Sequence, residues 1–384
     1  MTELTVTLVE IENALKNDEF IFYYQPKISM ITGALIGAEA LIRWQKPDGE
    51  LVMPTDFLPL AESSGFICEI TKLMFKKLNV DMTIFSDIEG DFTVSINASS
   101  KDFYDSEFID LIQRAIETKQ VNPHSIEIEL TESSLLGDSD VINENFEALV
   151  DMDVSLVMDD FGTGFSSIDM LSQFSFSTIK LDQGVVSRMD SSDKNRTIVE
   201  STIRMGHRLG LEVVAEGIET EDAYLALQNQ GCTIAQGFWI SRPLPIFDFL
   251  EFVRQKKRWP STPIGLLYMA QLDHIHWRKS IIDSVFFLHN RKGGNSEIRG
   301  KPASNCKSCM LGKWYYGVGR EFAGISAYDQ LEAPHMALHK LGNTLLAAVE
   351  AGSKKEDLVE MMQELSRLSG QMIELLQDIE NEIL

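Results

Sequence analysis

From Phe92 to Gln236 the chain alternates between short apolar runs and amphipathic ones, and this limits the possible folds more than any other feature of the sequence. The runs Phe92–Asn97, Ser125–Leu130, Ser155–Asp159, Thr178–Leu181, Glu212–Ala215 and Thr233–Gln236 predict strands. Helical periodicity fills the intervals near Ser106–Thr118, Asp140–Asp151, Ser166–Gln173, Asn195–Leu209 and Glu221–Gln230. Strand, helix, strand with short connections is the mark of a parallel sheet whose two faces are both covered. Upstream, Phe20–Lys27 and Ala34–Trp44 are extended stretches joined by a turn at Thr32–Gly33, which predicts a hairpin. One of its strands must run against the others. Helical patterns at Glu3–Asn17, Pro54–Ser63 and Ile67–Asp81 complete an α/β unit, a closed barrel with one antiparallel strand.

Polar residues interrupt these apolar strands at matching places. Glu39 lies in the second and Asn97 ends the third; Glu129 lies near the end of the fourth. Asp159 and Asp160 close the fifth, Lys180 lies in the sixth, Glu216 follows the seventh and Gln236 ends the eighth. One unpaired charge buried in such a place is costly. Several converging on the rim where barrel active sites form are accounted for by cations and a ligand. Asp159 and Asp160 cannot both stay ionised in a confined site without a cation between them. The stretch around them, MDDFGTGFSS (Met158–Ser167), reads as a loop that moves around a ligand. Oxygen donors of this kind suit Mg²⁺ or Mn²⁺ rather than Zn²⁺. A net charge of −24 excludes a nucleic-acid scaffold, DNA or RNA, and an anionic membrane surface as partner. An acidic protein acting on a phosphorylated substrate needs cations to offset the repulsion.

GAEALIRW (Gly37–Trp44) resembles the signature of the EAL family, the cyclic di-GMP phosphodiesterases of bacterial signalling. The likeness continues through SINAS (Ser95–Ser99), ELTES (Glu129–Ser133), DDFGTGFSS, IKLD (Ile179–Asp182), AEGIET (Ala215–Thr220) and QGFWISRPLP (Gln236–Pro245), over roughly residues 15–255. It implies a modified TIM barrel that opens the cyclic dinucleotide to linear 5′-pGpG with two Mg²⁺ or Mn²⁺ ions. By motif, Glu39, Asn97, Glu129 and Asp159 ligate one ion; Asp159 bridges to the second, held also by Asp160 with Glu216 beside it. The same resemblance gives Glu39, Lys180, Glu216 and Asp160 catalytic roles, with Lys180 positioning the attacking water. It gives Gln25, Arg43 and Asp182 substrate contacts. Glu132 anchors the DDFGTG loop, and Gln236 and Glu219 support the site from behind. Every ligand position keeps its expected residue, as do the loop glycines Gly162 and Gly164. The departures, Phe165 for tyrosine and Ala98 for a larger apolar residue, remove no ligand.

Beyond the barrel's last predicted helix, Ile246–Lys257, the character changes. The barrel is expected over 1–255, a basic proline-bearing linker over 256–263, and a small all-α helical bundle over 264–384. Long helical patterns stand at Gly265–Leu288, about Ala333–Ala351 and Lys354–Ile383, with a glycine- and lysine-rich loop around Arg291–Lys301. The last helix carries Leu, Met and Ile at heptad-like spacing, a stripe that is either core or dimer seam. His335 and His339, four apart, share a helix face. With DHIHW (Asp273–Trp277) and CMLGKWYYG (Cys309–Gly317), this part resembles the chemoreceptor zinc-binding (CZB) domain over roughly Leu266–Ile379. The resemblance implies one Zn²⁺ on His274, Cys309, His335 and His339, and sensing of zinc or hypochlorite-type oxidants. His276 and Cys306 are local additions, and Cys306-x-x-Cys309 also fits a redox or zinc pair. His289 is expected to face solvent. Four protein ligands leave no open coordination position, which makes the zinc structural or regulatory, and Cys309 an oxidation target.

Four cysteines, no basic–apolar leader and no long apolar run predict a cytoplasmic protein without membrane insertion, and the apolar stripe of the last helix, read as a dimer seam, a homodimer. The sequence therefore favours a zinc- or oxidant-regulated cyclic di-GMP phosphodiesterase. A catalytically weak cyclic di-GMP receptor with a zinc-stapled dimerisation domain is the alternative, and a scaffold in which zinc only staples a dimer is a third reading.

Overall fold

Ten strands make one sheet in the computed structural model, which describes residues 6–88, 92–131, 140–162, 167–262, 264–290, 305–351 and 353–383. In chain order they are β1 (Phe20–Ser29), β2 (Leu35–Gln45), β3 (Leu51–Val52), β4 (Thr93–Asn97), β5 (Ile126–Thr131), β6 (Ser155–Phe161), β7 (Thr178–Leu181), β8 (Glu212–Ala215), β9 (Ile234–Ala235) and β10 (Leu244–Pro245). β1 pairs with both β2 and β9, which closes a ring of eight; β3 and β10 are short additions outside it. β1 is antiparallel to both neighbours, and every other pair in the ring is parallel. The fold is thus a closed mixed barrel with a helical C-terminal region, as the alternation predicts.

Strand bounds at Thr178–Leu181 and Glu212–Ala215 agree with the sequence, because these buried runs are apolar and bounded by turns. β6 runs two residues beyond Asp159, to Phe161, with a register shift against β7 between Met158 and Phe161. Asp160 sits in that irregularity with φ of 57°, a left-handed conformation that costs a non-glycine residue about 1–3 kcal/mol. Bulges beside active sites re-aim side chains in this way. The segment expected as a linker packs on the barrel instead. Trp259 is buried with Phe252, its amide donates to the Gly33 carbonyl at 3.1 Å, and the Tyr224 hydroxyl donates to the Pro260 carbonyl at 2.7 Å. Two units result, Met1–Leu227 with Cys232–Ser261, and Gln228–Gly231 with Thr262–Leu384.

The second unit is built on the helices Ile264–Asn290, Ser326–Glu350 and Lys355–Ile383, with a short helix at Met310–Tyr316. Leu358, Leu365, Leu368, Met372, Leu376 and Ile379 of the last helix are buried with Leu267, Ile281, Leu338 and Leu345 in one core. The heptad-like stripe is therefore the core of this chain's own bundle. Among the described residues no helix is long and apolar enough to cross a membrane.

One buried carboxyl gives the barrel unit a testable pH dependence. Asp102 is fully buried, and its Oδ2 accepts from the Ser99 amide at 2.7 Å and from the Thr71 hydroxyl at 3.1 Å. Burial pushes it up to about 6. A raised value means that folding favours the protonated form, so this stabilisation is complete below the ordinary aspartate range and is lost as pH rises through about 6. Asp102→Asn is expected to gain about 2–3 kcal/mol relative to the parent between pH 4 and pH 8, read from denaturant midpoints. A pH-independent difference would overturn this.

Candidate functional site

Because residues i and i+2 share one face of a strand, the polar pairs Gln25/Lys27, Ser95/Asn97 and Glu127/Glu129 all turn into the barrel. Cross-strand register then assembles them: Gln25 stands opposite Glu39, Glu39 beside Ser95, and Asn97 beside Glu129. At the centre is Lys180, 1 % exposed, whose Nζ lies 2.5 Å from Glu129, 2.6 Å from Glu216, 3.3 Å from Asp159 and 3.4 Å from Glu39. Burial works against this ammonium, yet Glu129, Glu216, Glu39 and Asp159 together raise it well above the usual lysine range. Asn97 donates to Glu39 Oε1 at 2.8 Å, while Gln236 donates to Glu39 Oε2 at 2.6 Å and to Gln25 Oε1 at 3.0 Å. Both oxygens of Glu39 are thus fixed by amides.

Negative charge is in excess here. Against the ammoniums of Lys180 and Lys27 stand Glu39, Glu129, Asp159, Asp160 and Glu216. Burial, backed by Asp159, Glu39 and Glu129 and partly offset by Lys180, pushes Glu216 up to about 8. Glu39, Asp159 and Asp160 are raised as well, burial being the largest cause in each. Glu129 goes the other way: despite burial, Lys180 and Lys27 hold it down to about 2. Crowded carboxylates left partly protonated are the condition that a divalent cation relieves. The donor set is oxygen-rich and hard, which fits Mg²⁺ or Mn²⁺.

Above Lys180 opens a cavity of about 220 Å³, lined by Glu39, Asp159, Glu216, Glu219 and Phe238 among others. Only glycine serves at Gly237 beside it, since a Cβ there would lie 2.2 Å from the backbone of Ile218. That close approach holds the two loops carrying Glu216 and Phe238 together. Glu219 accepts a 3.5 Å hydrogen bond from Gln183. Asp182 spends one oxygen capping the helix Gln183–Ser187, accepting from the Gly184 amide at 2.9 Å, and contributes repulsion at Asp160. Arg43 is buried in β2 with Nη1 on the Ile42 carbonyl at 2.7 Å and its guanidinium over the Tyr23 ring. Glu132, Gly164 and Phe165 lie outside the described residues.

Two residues were not legible as part of the site. Lys27 is buried 3.2 Å from Glu129 and 2.9 Å from Glu127; the signal was a lysine inside an otherwise apolar strand. Phe238 is 48 % exposed at the cavity edge with Arg242 stacked over its ring at 4.4 Å. An exposed phenylalanine in the QGFW stretch was the available clue.

The second unit brings its predicted ligands together. The ring nitrogens of His274, His335 and His339 lie within 4.8 Å of one another, and all three residues are buried. Cys309 Sγ lies 3.2 Å from His335 Nε2. Cys309 caps the helix Met310–Tyr316, accepting from the Gly312 amide. Any side chain at position 312 would collide with the Cys306 carbonyl, 1.9 Å from an added Cβ, which explains the glycine three residues after the thiol. Burial, together with the other imidazoles, lowers His274 to about 3 and His335 to about 4, so both are neutral donors. Buried His274 Nε2 has no hydrogen-bond partner. An orphaned nitrogen among neutral imidazoles and one thiol fits Zn²⁺. The side chains of His276 and His289 are outside the described residues. Cys306 touches the site through its carbonyl, which accepts from Cys309 Sγ at 3.4 Å.

Known families match the chain in both units. The EAL domain family model matches residues 8–243, and that of the chemoreceptor zinc-binding domain matches residues 274–346. The signaling protein YkoW of Bacillus subtilis is 34% identical over 243 residues, 63% of this chain and 30% of that protein. The bifunctional diguanylate cyclase/cyclic di-GMP phosphodiesterase MucR of Pseudomonas aeruginosa is 33% identical over 247 residues, 64% of this chain and 36% of that protein. The chain therefore spans about a third of the length of these relatives. A solved structure of the PaMucR phosphodiesterase in complex with c-di-GMP is similar with a TM-score of 0.59 at 33% identity, covering 63% of this chain and 98% of that one.

Proposed function

The chain belongs to the EAL family, whose model matches it over residues 8–243, and on that premise we propose that its barrel hydrolyses cyclic di-GMP to linear 5′-pGpG. The observation that carries this reading is the Lys180 ammonium, buried among Glu129, Glu216, Asp159 and Glu39 under an open cavity.

Glu39, Asn97, Glu129 and Asp159 would hold one divalent cation, and Asp159, Asp160 and Glu216 a second. Such ions supply Lewis acidity for displacement at phosphorus and offset charge on the phosphate oxygens. The remaining work falls to the chain. Lys180, which the surrounding carboxylates hold in its charged form, orients the attacking water and meets charge that develops on the phosphoryl group. Gln236, bonded to Glu39 and Gln25, keeps both aimed at the cavity. Gln25 and Asp182 contact the substrate, while Glu219 steadies the loop at the rim. Arg43 keeps donors beyond the one bound to Ile42 and offers them to a phosphate. Phe238 presents an exposed face on which a guanine stacks. Phe238→Ala is expected to raise KM for cyclic di-GMP by the roughly 1–3 kcal/mol that base–aromatic stacking contributes, with kcat little changed. An unchanged KM would remove Phe238 from the substrate site.

The bundle's role in this reading is control: zinc on His274, Cys309, His335 and His339, or oxidation of Cys309, sets the activity of the barrel. The deciding experiment is hydrolysis of cyclic di-GMP with Mg²⁺ or Mn²⁺ on zinc-loaded and zinc-stripped protein side by side. Zinc is removed first and the barrel cation then restored, because a chelator strips both sites. Different rates support control and give its sign; equal rates leave an enzyme with a structural zinc. Binding without turnover in either form would make the chain a receptor.

A further inference from the structure

Beneath the proposed cation site lies a charged layer that the reading above does not use. Lys27 Nζ donates to three acceptors inside the barrel: Ser95 Oγ at 2.8 Å, Glu127 Oε2 at 2.9 Å and Glu129 Oε1 at 3.2 Å. An ammonium has three protons, and all three are committed. Ser95 and Glu129 are fully buried and Lys27 is 3 % exposed, so water is kept from these two contacts. Glu129 is consequently held from two sides, Oε1 by Lys27 from within the barrel and Oε2 by Lys180 from the rim.

The two lysines are not equivalent. Lys180 also touches Glu216, Asp159 and Glu39, and it borders the cavity. Lys27 touches none of these and does not line the cavity. The antiparallel course of β1 explains its depth: Gln25 stands opposite Glu39 at the level of the site, and Lys27, two residues on, stands opposite Gly37, one step away from the rim.

We propose that Lys27 is a positioning residue for the cation site: it anchors Glu129 Oε1 so that Oε2 stays aimed at the rim when Lys180 releases it to a divalent cation. This rests on the reading that the barrel holds such cations. Without Lys27, Glu129 would have no side-chain cation beside it once Lys180 turns to substrate, and nothing would hold Oε1 while Oε2 meets the divalent cation. Glu127 balances the charge of Lys27, so the pair can be removed together without leaving an unpaired ion.

The test is Mn²⁺ binding, followed by calorimetry and by the paramagnetic signal of free Mn²⁺, on zinc-loaded protein so that the bundle site is filled. Parent, Glu129→Gln, Lys27→Met and the double variant Lys27→Met/Glu127→Leu are compared with their melting temperatures. Lys27→Met is expected to weaken Mn²⁺ binding at least tenfold. The double variant is expected to recover the melting temperature without recovering the affinity, and Lys27→Arg to recover part of the affinity. Parent affinity in the double variant, or a defect that follows the melting temperature alone, overturns the proposal. Absence of Mn²⁺ binding in the parent, or binding that survives Glu129→Gln, would instead refute the cation site on which it rests.

Discussion

Lys180→Met is expected to lower kcat for cyclic di-GMP by about 10²–10³-fold, the usual loss when one preorganised donor to a developing negative charge is removed. The same substitution should act on stability, in a way that separates this lysine from an ordinary catalytic group. In the absence of divalent cations its ammonium is the main partner of Glu129 and Glu216, at 2.5 and 2.6 Å. Removing one partner of a buried ion pair leaves the other uncompensated and costs about 3–5 kcal/mol. Added Mg²⁺ or Mn²⁺ should restore most of that, so the cation-induced rise in melting temperature is expected to be larger in Lys180→Met than in the parent. Turnover measured by product chromatography and melting measured with and without Mg²⁺ check the two halves separately. A cation-induced rise no larger than the parent's would mean that Lys180 and the cations do not share the carboxylates.

Loss of zinc from the bundle is the second large effect. The three imidazoles are already gathered, His274 and His335 neutral, and the bundle has an apolar core of its own, with Leu331, Leu338, Leu365 and Met372 buried. Zinc removal is therefore expected to leave the helices formed while lowering the melting temperature of this unit, in contrast to zinc fingers, where binding and folding are one event. His335→Ala/His339→Ala should abolish stoichiometric zinc. The proton balance is sharper. Burial pushes the Cys309 thiol up to about 11 in the absence of metal, whereas His274 and His335 titrate near 3 and 4. Zinc must displace the thiol proton, so binding should release about one proton near pH 7.5 and strengthen about tenfold per pH unit through the neutral range. Cys309→Ser should bind more weakly, without that slope. Calorimetry in buffers of different ionisation enthalpy measures both; an identical proton release in Cys309→Ser would remove Cys309 from the ligand set.

Much of this was written in the chain, for reasons particular to each residue. Buried parallel strands such as Thr178–Leu181 are apolar on both faces and flanked by helices, so the polar exceptions, Lys180 among them, stand out. Asp160 and Phe161 were harder to place: an acidic pair with Gly162 two residues on carries the signal of a turn, yet the chain stays in the sheet to Phe161, with Asp160 left-handed. The pairs β3 and β10 are two residues each, too short for any periodicity. Trp259 follows two lysines and an arginine and precedes a proline, which reads as solvated chain; its burial depends on a distant partner, Gly33. Lys27 was missed for a related reason. In a hairpin one strand face is commonly wet, and nothing local says that this face of β1 is the inside of a barrel until the β1–β9 pairing closes it.

The reversed course of β1 also decides where the chain comes in. In a regular barrel of this kind the first strand starts at the face opposite the chemistry. Here Phe20 stands opposite Trp44, near the end of β2, on the same side as the cavity. The turn that leads from the helix Leu8–Lys16 into β1 therefore enters the barrel on the side where the chemistry is proposed, rather than at its foot.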